Sequence, residues 1–600
     1  MWLLVIVSIL GIGFAGLLPK NLPSLLRILI SLSLGLIIFT HLSLMFAFIL
    51  GVSFFTFTIS LIILALISFF SFYKFRLEFQ FSNLSLFFIL ITLVITLLLS
   101  YVWFTQALSI SAEGFKTGGG GMYGDSALHA AYTSRLEIGE FPIQNPLYAG
   151  KILVYPFAND LLSAALKIAG LNLNLAFSLP QILFLIGSLS LLYQIAKKIT
   201  SNFGFVIALL ILFLGWGIGT FFFLNHWLSS GQTFWNSLTS DYTDISEYNL
   251  HFHNILTGLI LPERSFLPGL FLGLLMFLNF WEYFSNKSLR LLLTNGVILG
   301  ALPLWHTHTF IFLSIASLIF AVWLMVKDFK KTFGHLILMF LTSLIVSIPF
   351  LFLFFSNHSV GNFVHITLGW QNGNENIFVF WLKNSLLIIP FAIVGFWFVR
   401  REQKIFFIPA FGIFLIANFV IFQPWDWDNI KLLSWSFLFF AILVGFILAK
   451  LAQRGLLAKL LVTFVILISI TSGSLSILFQ LKNRFVIYDQ EDITLSDWAK
   501  GQTRINDIFI IDPIPNHPIP GLAGRLVYIG YPGHLWVHGI NYQKREIENS
   551  QILAGDFSQI NHLEVLISYV VISRNNFTFE VPSNTHEVFQ NQKYLVLKLD

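Results

Sequence analysis

About fourteen runs of mostly apolar residues, each near the roughly 20 that cross a bilayer as a helix, recur along this chain and leave little room for a soluble fold. They lie near 1–19, 23–40, 43–70, 84–108, 173–196, 203–224, 264–284, 291–305, 309–326, 335–356, 376–399, 405–422, 432–449 and 457–477. The composition agrees: 10% of residues are charged, where soluble chains carry about 25%. An α-helical polytopic membrane protein follows. The first run lacks a basic start and is followed by Lys20, so it reads as a retained span with its amino end outside, not a cleaved signal. The absence of cysteine excludes disulfides, thiolate chemistry and cysteine-ligated metals.

Charge reports topology. Basic connections follow alternate runs: Lys20 and Arg27; Lys74 and Arg76; Lys197 and Lys198; Lys287 and Arg290; Lys327, Lys330 and Lys331; Arg400, Arg401 and Lys404; Lys450, Arg454 and Lys459. The positive-inside rule puts these in the cytoplasm. The net charge of +5 is spread over short loops and forms no basic face, which gives nucleic acid no footprint. The opposite side then receives the long polar stretch 109–172, the stretch Asn225 to Arg264, LWHTHTF at 304–310, the loop around His358 and His365, QPWDWDNIK at 423–431, and the tail.

That tail, from 480 to 600, turns polar, with strand-like runs at 507–512, 525–530, 565–574 and 593–599 and a helical stretch around 541–553. Strands alternating with helices suggest a small C-terminal α/β domain, extracytoplasmic by the alternation above. The expected division is a transmembrane domain over 1–479 and a soluble domain over 480–600.

The stretch from Gly118 to Asp160 is the longest polar interruption of the apolar two-thirds. Asp125, His129 and Tyr132 are spaced so that a helix beginning near Ser126 places them on one face. A carboxylate at the membrane surface can take a proton from an attacking hydroxyl. It can equally cap the helix, and His129 reads either as a substrate contact or as a packed, hydrogen-bonded ring. Gly118 to Gly121 lack a following Lys-Ser/Thr and so form no P-loop; they read as a mobile entry or a flexible linker.

These motifs, with GEFP and NPLYAG after them, resemble the GT-C superfamily of integral-membrane glycosyltransferases, which use polyprenyl-phosphate sugars. The similarity extends to Asp125 to His129, His306 to His308, Trp425 to Lys431, Gly524 with Arg525, and Gly530 to Trp536. It departs from the best-known members in two ways: several spans precede the loop, and paired acidic residues are not adjacent. The resemblance implies transfer of a sugar from a polyprenyl-phosphate donor to a hydroxyl of a glycan, lipid or protein acceptor. Asp125 would be the base in a single inverting displacement.

Such a reaction needs cations for the departing phosphate. Arg264, His306, His308 and Lys431 stand at the expected outer ends of spans, where a lipid headgroup lies. Arg264 also reads as an interfacial residue paired with Glu263, and Trp425 and Trp427 as belt aromatics. Asp428, Asn429 and Lys431 are informative because charge beside hydrocarbon is functional or paired; an Asp428 to Lys431 pair that orders the loop is the plainer reading. Tyr132, Asp428, Asn429, Arg525 and Trp536 are candidates for acceptor or sugar contacts, and Tyr528, His534 and His538 could share that groove or belong to the core and turns of the tail domain. Asp241, Asp244, His251 and His253 are weak candidates for a divalent metal, against a solvated polar loop. The competing class is a transporter or lipid flippase, which would show mid-membrane charges and repeated halves. The expected location is the plasma membrane, multi-pass, with the N-terminus and the tail extracytoplasmic; an endoplasmic reticulum lumen is the other compartment open to it.

Overall fold

The computed structural model describes residues 1–75, 86–355, 363–574 and 585–599. Arg76 and the loop at His358 lie outside the described residues. Within them every apolar run falls on helix. Among the described residues nine helices are long and apolar enough to cross a membrane, or eleven when each of two bent pairs counts as one span. The expectation of about fourteen differs because Trp2–Leu17 and Leu289–Trp305 are shorter. In addition, two of the runs lie on two helices that meet at a kink at Asp328, whose dihedrals are non-helical, and that count together as Thr307–Phe355.

Local chemistry sets the helix limits. Asn172 and Ser201 accept from the backbone N–H groups of Leu175 and Gly204 at the starts of Leu173–Lys197 and Asn202–Leu214, satisfying donors that an apolar surrounding would otherwise strand. Small residues then let helices touch. A Cβ on Gly11 would stand 2.0 Å from the Ser31 carbonyl oxygen, and one on Gly445 2.1 Å from that of Gly204. Close backbone approach of this kind holds helices together where burial gives no advantage over lipid.

Two helices form the centre. Phe266–Asn286 is buried along its whole apolar window and Asp426–Ala452 along nearly all of it, so both are apolar all round. Phe54–Lys74, Leu86–Gln106 and Thr307–Leu353 leave most of theirs open, with Phe69, Phe70, Leu97 and Phe352 among the exposed side chains. That pattern suits contact with lipid chains.

One end of the bundle carries the polar superstructure. Here a hairpin of β1 (Ser109–Ser111) and β2 (Gly114–Gly118) leads to α1 (Gly121–Glu137) and α2 (Ala158–Ile168). Strand β3 (Arg484–Asp489), which follows the last apolar helix, pairs antiparallel with β2. The tail domain holds β4 (Ile508–Ile510), β5 (Leu526–Val527), β6 (Tyr569–Ser573), β7 (Thr585–Gln590) and β8 (Tyr594–Leu599) in the order β5-β4-β6-β8-β7. Pairings among β5, β4 and β6 are parallel and the others antiparallel. The expected strands and the helix Gln543–Leu553 are therefore present.

The tail domain is not separate from the first polar loop. Val527 and Gly530 donate backbone hydrogen bonds to the carbonyls of Pro146 and Leu147, and Ala149 donates to Val527. At the far end, Lys198 pairs with Glu282 at 2.5 Å, Gln403 donates to the Lys198 carbonyl and Arg290 to that of Gly16. The basic connections thus gather opposite the tail domain.

Candidate active site

The two central helices begin at the same end, and what precedes them is charged. Ahead of Phe266–Asn286 a π-turn over Leu256–Ile260 leads into Pro262, Glu263 and Arg264. Ahead of Ile430–Ala452 a 3-10 turn over Asp426–Asn429 delivers Asp428, and Lys431 follows in the first helical turn. A lysine there opposes the helix dipole. It is stabilised by carboxylates: Lys431 Nζ lies 2.6 Å from Glu263 Oε1 and 3.1 Å from Asp428 Oδ1.

Asp125 stands over this ion cluster from α1. The helix starts at Gly121 after Gly120, whose φ is +62°, with no side-chain cap. Asp125 therefore sits one turn inside the helix and is not its cap, unlike the start near Ser126 expected above. It remains partly accessible. Burial pushes its carboxyl well above the ordinary carboxylate range, Glu263 and Asp428 push the same way, and Lys431 opposes them. A carboxylate so placed is a stronger base than a solvated one.

A second network lies beside the first. Asp160, in the first turn of α2, is fully buried. Its carboxylate takes His129 Nδ1 at 2.9 Å and Arg264 Nη1 at 2.7 Å. Arg264 also donates to Ser163 Oγ at 2.6 Å and stacks 3.5 Å above the Phe177 ring. Asn159 and Gln181 hold the Arg264 carbonyl, fixing the backbone between the two networks. Tyr155 joins them: its hydroxyl is pushed well up by burial, then by Glu263, Asp125, Tyr132 and Asp160.

The tail domain closes the site from above. His538 packs 4.9 Å from the Tyr155 ring, and its Nδ1 is 3.3 Å from the Tyr132 hydroxyl. His534 Nε2 stands 3.6 Å from where a Cβ on Gly124 would be. Burial drives His534 down to about 4 and His538 to about 3, so both rings are neutral at pH 7. On the bundle side, His306 Nδ1 meets Thr309 Oγ1 at 2.8 Å, while its buried Nε2 has no partner among the described residues. His308 Nε2 contacts Gln423 Oε1 at 3.0 Å.

The structure thus brings Asp125, His129, Tyr132, Arg264, His306, His308, Asp428 and Lys431 to one end of the bundle. Other expectations are corrected. Arg264 pairs with Asp160, and Glu263 belongs to Lys431. Asn429 Nδ2 donates to the carbonyls of Ala417 and Val420 at 2.8 Å each and its Oδ1 accepts from Gln423 Nε2, so it orders the turn. Arg525 is spent on Thr503 and the carbonyls of Ala499, Lys500 and Ala523 inside the tail domain. Tyr528 likewise donates to Glu548 Oε2. Trp536 is exposed.

The weak metal candidates are paired internally. Asp244 Oδ2 takes His253 Nε2 at 2.6 Å, with His251 Nδ1 at 3.6 Å, and Asp241 accepts from Thr243. Among the described residues no group of three or more His, Asp or Glu is placed to hold a metal ion. Glu263 and Asp428 both face Lys431, so this donor set does not fit one. Of the four glycines, Gly118 ends β2, where a Cβ would lie 2.2 Å from Gln480 Nε2, whereas Gly120 is exposed with nothing within 4 Å of such a Cβ.

Asp160, Tyr155 and the role of Glu263 escaped the sequence reading. Asp160 had a signal, since it falls in NDLLSAAL, where an isolated acid meets an apolar helix face.

No protein-family model matches the chain, and no curated protein matches it. Among solved structures it is similar to the apo oligosaccharyltransferase of Archaeoglobus fulgidus, at 12% identity and TM-score 0.49 over 82% of this chain and 70% of that one. It is also similar to ArnT from Cupriavidus metallidurans bound to undecaprenyl phosphate, at 11% identity and TM-score 0.46 over 85% of this chain and 97% of that one. The apo form of the same ArnT matches at TM-score 0.43.

Proposed function

We propose that this chain is a membrane glycosyltransferase that moves a sugar from a polyprenyl-phosphate donor to an acceptor hydroxyl on the extracytoplasmic face. The observation that supports it is the convergence of Asp125, Glu263, Asp428 and Lys431 where the two central helices meet the polar superstructure. A lipid headgroup reaches that level with its chain still among the helices.

In this reading Asp125 takes the acceptor proton as the acceptor oxygen bonds to the anomeric carbon. The carbon–oxygen bond to phosphate breaks, and the electron pair leaves with the polyprenyl phosphate. A single displacement inverts the centre. Lys431 lies within reach of the phosphate through donors not spent on Glu263 and Asp428, since an ammonium has three. His306 Nε2, unpartnered, is a second contact once it carries the proton. Arg264 does not touch the phosphate here; it holds Asp160, which orients His129.

The test is transfer of radiolabelled sugar from a panel of polyprenyl-phosphate donors into membranes carrying the wild type or Asp125→Asn at matched expression. A loss of at least about a hundredfold, some 2.7 kcal/mol of transition-state stabilisation, is expected. Turnover that survives the substitution removes Asp125 from the base role. A second reading, lipid flipping, is favoured by the two bent pairs, Asn202–Leu214 with Gly219–Ser230 at 60° and Ile377–Ser385 with Ile388–Phe398 at 90°, since broken helices mark transport sites. It predicts lipid movement that Asp125→Asn leaves intact.

A further inference from the structure

Beside the ion cluster lies a feature the reaction above does not use. Trp425 and Trp427 stack with centroids 5.0 Å apart and planes at 28°, and Trp425 is 47% exposed. Trp370 and Trp381 nearby are instead buried in the core. Trp427 is half-buried against the core, and the turn that carries both rings is tied down. Trp370 Nε1 donates to the Asp426 carbonyl at 2.9 Å, Asn429 clamps the far side of the turn, and Asp428 is tied to Lys431.

Its flanks are polar. The His253 ring meets Trp427 edge-on at 5.0 Å and carries Asp244 on Nε2, while Asp426 Oδ1 lies 3.9 Å from His365 Nε2 on the other side. We propose that this platform binds a pyranose ring of a saccharide acceptor, with the exposed Trp425 indole, backed by Trp427, under its C–H face and the Asp244–His253 and Asp426–His365 pairs at its hydroxyl edge. The inference rests on the glycosyltransferase reading and deepens it by naming the acceptor class.

The chemistry matches part by part. A sugar ring offers one face of polarised C–H bonds, which suits the negative face of an indole. Its rim of hydroxyls can donate to a carboxylate and accept from a histidine, and bonds to ionised partners are the strong ones. A tryptophan that only anchors the chain in the membrane needs no ionisable pair on either side. Position also fits: Trp427 immediately precedes Asp428, which pairs with Lys431.

The experiment uses the full chain in detergent on the Asp125→Asn background, where binding is read without turnover. Chitotetraose, maltotetraose and a mannotetraose are titrated by saturation-transfer NMR and indole fluorescence. At least one probe is expected to bind, with at least tenfold weakening in Trp425→Ala and recovery in Trp425→Phe, which keeps a ring. Binding by none of the three, or affinity unmoved by Trp425→Ala, overturns the proposal. The two readings fail separately. Saccharide binding with no sugar transfer in the wild type keeps the platform and removes the transferase, whereas transfer with an acceptor KM unchanged by Trp425→Ala keeps the transferase and removes the platform.

Discussion

Asp160→Asn changes one atom and removes the charge on which two buried cations or donors depend. Arg264 has nowhere else to turn. Its Nη1 lies 2.7 Å from Asp160, its Nη2 reaches the uncharged Ser163 hydroxyl, its other face lies on the Phe177 ring, and its Nε has no partner among the described residues. The side chains of Arg264 and Asp160 are 6% and 0% exposed, so water does not replace the lost carboxylate. Deleting a neutral hydrogen bond here would cost about 1–3 kcal/mol. Stranding a buried guanidinium costs more, about 3–5 kcal/mol, and the second figure applies. The assay is equilibrium unfolding in mixed micelles at pH 7, followed by tryptophan fluorescence. The double variant Asp160→Leu/Arg264→Leu supplies the control, because replacing both ions by apolar groups is near neutral. A loss under about 1 kcal/mol for Asp160→Asn, or a double variant no more stable than the single one, would refute the claim that the pair is dry and mutually dependent.

Turnover by the wild type should fall as pH drops through a value well above the usual aspartate range, because Asp125 must be ionised to act and burial favours its neutral form. Asp428→Asn removes a like charge and frees Lys431, so the acid limb of the kcat/KM profile should move to lower pH; an upward move contradicts the cluster. His538 is held down to about 3 against an ordinary histidine value of 6.5, so the unfolded chain binds the extra proton first. Its contribution is complete above about 6.5 and is lost as pH falls toward about 3. His538→Gln should therefore flatten the acid side of a stability-versus-pH curve.

How much of this was legible before the fold was known follows from the range of each interaction. Asp125, His129 and Tyr132 could be grouped because helical spacing is local. Strands at 507–512 and 593–599 could be found because β-branched and aromatic runs are local too. Arg264 and Lys431 could be flagged as charges beside hydrocarbon; the partner of Arg264 was misjudged, and of the two partners of Lys431 Asp428 was legible and Glu263 was not. The pairing of β2 with β3 joins residues some 370 positions apart, and nothing in either segment announces the other.

By itself the sequence determined the solvent of each segment. Apolar runs of bilayer length, basic connections on alternate turns and a polar tail follow from transfer free energies that act residue by residue. Only the tertiary structure decided which carboxylate met which cation. Asp160, rather than its neighbour Glu263, received Arg264; Glu263 and Asp428 converged on Lys431; and Arg525 went to the tail domain's own carbonyls. Those choices depend on how two fully buried helices pack and where their first turns end, and a charge in a dry site is stabilised only by the group that packing places within about 3 Å of it.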